Sequence, residues 1–132
     1  MGKVIDIQAP ENIVSGKVVD TAYFFHKELG AGLLESAYEL ALVHMLKRHH
    51  DFKVERQKTL PVEIDGLKIE AGFRPDLIIE DQVIVELKAV EKLIPLHKAQ
   101  LITYLKLSGV KVGLLINFNE TYFKNAVQRI VV

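Results

Sequence analysis

Apolar residues recur at spacings of three and four from about Asn12 to Glu28, through Val14, Val18, Ala22, Phe25 and Leu29, which predicts an amphipathic helix. Gly30 and Gly32 interrupt it. A second helical run, from about Leu33 to His49, gathers Leu34, Ala37, Tyr38, Ala41 and Met45 on one face, widened by Leu42 and Leu46. The same projection sets Glu35 between those two leucines, so its carboxylate is expected to point towards apolar surroundings. The period then changes to two. Phe52, Val54, Leu60, Val62 and Ile64 alternate with polar neighbours and predict one half-exposed strand before the turn Asp65-Gly66. Ile69, Ala71 and Phe73 carry the alternation onward to Pro75-Asp76.

Leu77-Ile78-Ile79 and Val83 to Val90 are apolar on both faces, as expected of strands covered on both sides. Glu86 and Lys88 share one face of the second strand and interrupt that apolar surface. The loop between the two strands lies in Glu80-Asp81-Gln82, and its length decides the partner of Asp76. A two-residue loop sets Asp76 opposite Leu87, on the wrong face; a three-residue loop sets it opposite Glu86. The three-residue register is predicted, or a bulge near Pro75 with the same effect. Pro95 opens a helix that runs to about Leu107 and ends near Gly109, and Val112 to Phe118 is a compact strand. The tail is expected to form a short helical turn and an edge strand at Gln128 to Val132. The order is therefore helix, three strands in antiparallel succession, helix, and a strand parallel to that of Glu86.

Buried charges need partners or a metal. Two carboxylates beside an ammonium suit magnesium, with manganese as a substitute, because this hard cation takes oxygen ligands and keeps several waters. Such a metal lowers the pKa of a retained water and offsets phosphate charge, while Lys88 orients the water or holds a phosphate oxygen. The competing expectation is structural: a local Glu86–Lys88 ion pair, with Asp76 merely capping a turn.

The composition fits one globular domain over residues 1–132, with 49% hydrophobic and 26% charged residues. No apolar run is long enough to span a bilayer. The opening Met1–Asp6 lacks a signal-peptide apolar segment, and cysteine is absent, so a cytoplasmic location is expected. Seventeen basic residues balance seventeen acidic ones, which argues against indiscriminate duplex binding by counterion release. A local basic groove remains open to Lys47-Arg48-His49-His50 or to Lys53, Arg56 and Lys58. The five histidines form no H-E-x-x-H pattern; His97, three residues before Gln100 on the same helix, is expected to be a structural or exposed histidine, with a site-facing position as the alternative.

The element order and the set Pro75-Asp76, Glu86-Leu87-Lys88 resemble the PD-(D/E)XK nuclease superfamily, a restriction-endonuclease-like α/β fold of helix, three strands, helix and strand with a mixed sheet flanked by helices. Gly32-Leu33-Leu34-Glu35-Ser36-Ala37-Tyr38 is similar to the signature of the GxxExxY protein family within that superfamily. Gln100-Leu101-Ile102-Thr103-Tyr104 resembles the Q-x-x-x-Y element of RecB-like nucleases. The resemblance implies that Asp76 and Glu86 bind magnesium, that Lys88 assists the attacking water, and that Glu35 and the Leu87 carbonyl complete the ligand set. Gln100 and Tyr104, one helical turn apart, would steady Lys88 or hold the nucleic-acid backbone, and Tyr38 would orient a carboxylate or pack in the core. The implied substrate is nucleic acid, DNA ahead of RNA by analogy, and a homodimer is expected. The alternative is a non-cleaving nucleic-acid-binding or assembly module that keeps the fold.

Overall fold

The computed structural model describes residues 6–132. The expectation for the N-terminal segment before Asp6 therefore lies largely outside the described residues. Helix α1 spans Pro10–Leu29, with proline at its first turn and Val14, Val18, Ala22 and Phe25 buried along one stripe. Gly30, at φ 72°, stops it, a left-handed conformation that glycine adopts without a Cβ penalty. Helix α2 spans Glu35–His50 and ends at Asp51, also left-handed. Its buried stripe is Tyr38, Leu42 and Leu46, all within the expected face, with Glu39 beside them; Met45 packs partly against the core, whereas Leu34 and Ala37 are exposed. Leu34 is 76% exposed because it precedes the first turn instead of lying within it. Glu35, correspondingly, is exposed and does not point into the apolar layer.

Five strands form the main sheet in the order β1-β4-β5-β6-β7. They are β1 (Val54–Arg56), β4 (Leu77–Ile79), β5 (Val83–Lys88), β6 (Val112–Asn117) and β7 (Val127–Val131), the last preceded by a single helical turn at Phe123–Asn125. Only the β5–β6 pair is parallel, the two strands being linked by helix α3 (Pro95–Ser108). The others are antiparallel. Alternation sorts the side chains between two layers. Leu77, Ile79, Val83, Val85 and Leu87 pack with α1 and α2, whereas Ile78 and Ile84 pack with Leu101 and Leu105 of α3. The sheet is thus covered on both sides, as its strand sequences predict.

One predicted strand is broken. The stretch from Phe52 to Ile64 divides at Gln57, whose φ of 54° cannot continue an extended chain. Its first part is β1, paired with β4. Its second part is β2 (Leu60–Ile64), which leaves the sheet and pairs only with β3 (Leu67–Phe73) around the expected Asp65-Gly66 turn. The strand beside the β4–β5 hairpin is therefore β1, not the one that immediately precedes the hairpin.

Candidate active site

The β4–β5 hairpin builds the site. Ile79 pairs with Val83 around a three-residue loop in which Glu80 and Asp81 are left-handed, so the ladder continues to Leu77 opposite Val85. One further step sets Asp76 opposite Glu86, the register that the pattern of buried residues demands. The Asp76 backbone N–H donates to Glu86 Oε1 at 3.2 Å, and the Leu87 N–H donates to Asp76 Oδ2 at 2.8 Å. Because N–H and C=O of one strand residue leave on the same side, the Leu87 carbonyl also faces the Asp76 edge.

Glu86 is 3% exposed. Burial, followed by the charge of Asp76 and a hydrogen bond to its carboxyl, pushes the Glu86 pKa up to about 9, against a smaller opposing pull from Lys88. Beside Asp76 the buried Glu86 carboxyl keeps its proton through neutral pH unless a cation takes the proton's place. Lys88 does not supply that cation by contact: among the described residues it is in no ion pair. The expected alternative of a Glu86–Lys88 pair with Asp76 on the opposite face is thereby excluded. Lys88 is half-buried, held where β5 emerges from the sheet. Its carbonyl accepts from the Phe118 N–H at 2.9 Å, and the fully buried Asn117 bonds both the N–H and the C=O of Val90.

Asp76 is also bound from the other side. Gln57 donates its backbone N–H to the Asp76 carbonyl at 2.9 Å and its amide nitrogen to Asp76 Oδ1 at 3.1 Å. The same nitrogen donates to Glu39 Oε1 at 2.8 Å, while Arg56 Nε donates to Glu39 Oε2 at 2.9 Å. An open pocket of about 330 Å³ lies over this network, lined by Glu35, Glu39, Arg56, Gln57, Arg74 and Asp76. Glu35 stands at its rim, its pKa raised by partial burial, lowered by Lys88 and raised again by Asp76 and Glu39. Among the described residues no trio of His, Asp and Glu is arranged to hold a metal, so Glu35 does not close a three-carboxylate cage with Asp76 and Glu86.

Helix α3 brings the second half of the expected constellation. The Tyr104 ring packs on Phe73 with centroids 5.0 Å apart. Its phenol pKa is raised by burial and then by Glu86 and Asp76, with the Arg74 backbone N–H and the Gln100 side chain acting the other way. Gln100, Tyr104 and the acidic pair therefore converge on one place. His97 accepts the Ile94 N–H at Nδ1 and has its pKa lowered by burial and by Lys88, which places it beside that ammonium. Tyr38 does not reach a carboxylate. Its hydroxyl donates to the Gly30 carbonyl at 2.6 Å and accepts the Leu33 N–H at 3.1 Å, and its ring stacks on Phe118 at 4.5 Å. It pins the connection that leads into Glu35.

Glu39, Gln57 and Asn117 are the site residues that sequence reasoning missed. Glu39 carries a visible signal, a carboxylate between Tyr38 and Leu42 on the buried side of a helix. Gln57 carries none, since glutamine is not a residue that marks a left-handed position. Arg56, expected in a basic face with Lys53 and Lys58, is instead the partner of Glu39, and the two lysines pair with Glu55 and Asp81.

A mixed sheet with helices on both faces, and a carboxylate pair and a lysine at one end of its central hairpin, defines a nuclease-type α/β fold. The family model of the PD-(D/E)XK nuclease superfamily matches residues 12–130, and the chain belongs to that superfamily. Among solved structures it is similar to the crystal structure of SSO0001, with 22% sequence identity and a TM-score of 0.56 over 90% of this chain. The match covers 60% of that protein's chain, and at this identity it concerns the fold alone. No curated protein matches this chain significantly. Among the described residues no helix is long and apolar enough to cross a membrane.

Proposed function

We propose that this chain is a divalent-metal-dependent nuclease that hydrolyses nucleic-acid phosphodiester bonds, with DNA as the favoured substrate, and that Gly32, Glu35 and Tyr38 assign it to the GxxExxY family. The observation that carries the reading is the Asp76–Glu86 pair: two carboxylic side chains opposite one another, one of them almost fully buried beside the other's backbone N–H and carboxyl. The donor set fits magnesium or manganese, hard cations commonly held by one or two carboxylates plus water. Asp76 and Glu86 would hold the ion, with the Leu87 carbonyl as a further oxygen donor, while Glu35 lines the pocket beside them without joining the ligand set. When bound, the cation supplies a lowered water pKa and charge neutralisation at the phosphate.

The chain's own groups do the rest. Lys88, free of any ion pair among the described residues, holds a phosphate oxygen or orients the water. Gln100 and Tyr104 present an amide and a phenol to the backbone of the substrate from the α3 side. Arg74 lines the pocket over Asp76, where a guanidinium suits a neighbouring phosphate. The second reading, a non-cleaving assembly module, draws on the balanced charge of 17 basic and 17 acidic residues. A homodimer in the cytoplasm is compatible with either.

The deciding experiment is cleavage of labelled single-stranded, duplex and branched DNA, and of RNA, in magnesium or manganese. Glu86→Ala and Lys88→Ala are each expected to reduce cleavage by about 10²-fold or more while remaining folded. Metal binding without cleavage of any of these substrates would transfer the proposal to the assembly module.

A further inference from the structure

The Gln57 amide lies between two carboxylates. Carboxylates only accept, so the amide nitrogen must face both of them. Its two N–H groups are divided between Glu39 Oε1, at 2.8 Å, and Asp76 Oδ1, at 3.1 Å. Glu39 is 5% exposed and receives Arg56 on its second oxygen, so the far end of this chain of hydrogen bonds is anchored in the protein. At the near end Asp76 takes one donor on each oxygen, the Gln57 amide on Oδ1 and the Leu87 N–H on Oδ2. Rotation of the carboxylate would break one bond or the other.

Gln57 also holds a left-handed backbone, with φ 54°, and bonds the Asp76 carbonyl through its own N–H. A non-glycine residue keeps such a conformation where its surroundings over-determine it. Here two separate bonds to one residue do so. Glu39 lies in α2, Arg56 ends β1, Gln57 is the break between β1 and β2, and Asp76 precedes β4. The helix layer thereby sets the orientation of a carboxylate carried by the sheet.

We propose that Gln57 is a positioning residue for Asp76, itself oriented by Glu39 and Arg56, and that this amide sets the affinity of the site for a divalent cation. The inference rests on the metal-dependent reading above. Outer partners that orient metal ligands typically contribute about 10- to 100-fold in affinity.

The test is titration of the full chain with Mn²⁺, following free Mn²⁺ by electron paramagnetic resonance. Gln57→Gly removes the amide but accepts the left-handed backbone, and is expected to weaken binding about 10- to 100-fold with thermal stability little changed. Gln57→Asn also accepts that backbone, and its shorter amide is expected to recover only part of the loss. Glu39→Leu, or Glu39→Gln should the leucine variant not fold, is expected to weaken Mn²⁺ binding in the native background and to add nothing in the Gln57→Gly background. Binding within twofold of wild type for Gln57→Gly overturns the inference, as does a Glu39 effect of equal size in both backgrounds. A Glu86→Ala control separates the two levels: wild-type binding that is indifferent to Glu86 removes the metal site itself, and this inference with it.

Discussion

The chain contains two hairpins of similar local construction and opposite fate. Both β2–β3 and β4–β5 turn through consecutive left-handed residues, Asp65-Gly66 in one and Glu80-Asp81 in the other. In β4–β5 nearly every residue is buried, so a slip of one position would carry Glu86 into the α1–α2 layer and take Val83, Val85 and Leu87 out of the packing they make there. In β2–β3 only Phe73 is fully buried, and the register shifts between Leu60 and Val62. Two-sided burial fixes register to the residue, whereas a turn alone tolerates a bulge. The catalytic candidates sit on the hairpin whose register cannot move.

The sharpest way to break this contrast is to truncate an isoleucine in each hairpin. Ile84→Ala, at a fully buried position, is expected to cost about 2–5 kcal/mol. Ile69→Ala, at a position 41% exposed, is expected to cost under about 1 kcal/mol. Urea denaturation of both variants measures the difference, and equal losses would show that the ribbon contributes to the core.

Proton linkage probes the same hairpin through its buried carboxyl. Glu86 is raised from 4.5 to about 9, so between those values the folded chain holds one more proton than the unfolded chain. The Glu86 contribution to stability in chelator should therefore be full below about pH 4.5 and be lost as pH rises towards 9, with a slope of up to about 1.4 kcal/mol per pH unit from this group. Glu86→Gln should flatten that slope, and Mg²⁺ should oppose it at high pH, both measurable as melting temperature against pH.

Glycines sharpen the comparison further. A Cβ on Gly72 would stand 2.2 Å from Val62 Cγ2, and one on Gly113 would stand 2.9 Å from Leu101 Cδ1. Each Gly→Ala substitution is expected to cost about 1–3 kcal/mol. For Gly113 the loss should appear in global unfolding. For Gly72 it should appear as faster amide exchange confined to β2 and β3, with the main sheet protected. The smallest effect is expected at the ribbon turn, where Asp65→Asn keeps a residue that tolerates φ of 48° and should change stability by less than about 0.5 kcal/mol.

The same contrast explains what was legible in the chain. Alternation, loop length and two apolar faces sufficed to set Asp76 beside Glu86, because a single register satisfies all three. The i, i+4 pair Gln100 and Tyr104 was legible for a similar reason, since helix geometry fixes it locally. The break at Gln57 was not, because its left-handed backbone is held by Asp76, nineteen positions further along the chain. Glu35 keeps its projected angle between Leu42 and Leu46, but as the first residue of α2 it lies ahead of the buried stripe, at the pocket instead of the core. The Glu39–Gln57–Asp76 chain joins three elements and has no sequence spacing to betray it.

The hydrogen bond from the Gln57 N–H to the Asp76 carbonyl also makes the ribbon a cul-de-sac. The chain departs from the site at Gln57 and returns to it at Asp76, with the doorway held shut by that 2.9 Å bond. What lies between can lengthen at small entropic expense, about 0.6 kcal/mol for each doubling of a flexible loop, without displacing either jamb. A hairpin with such a port beside it can acquire reach by growth at the ribbon tip, while the carboxylate pair at its base stays as it is.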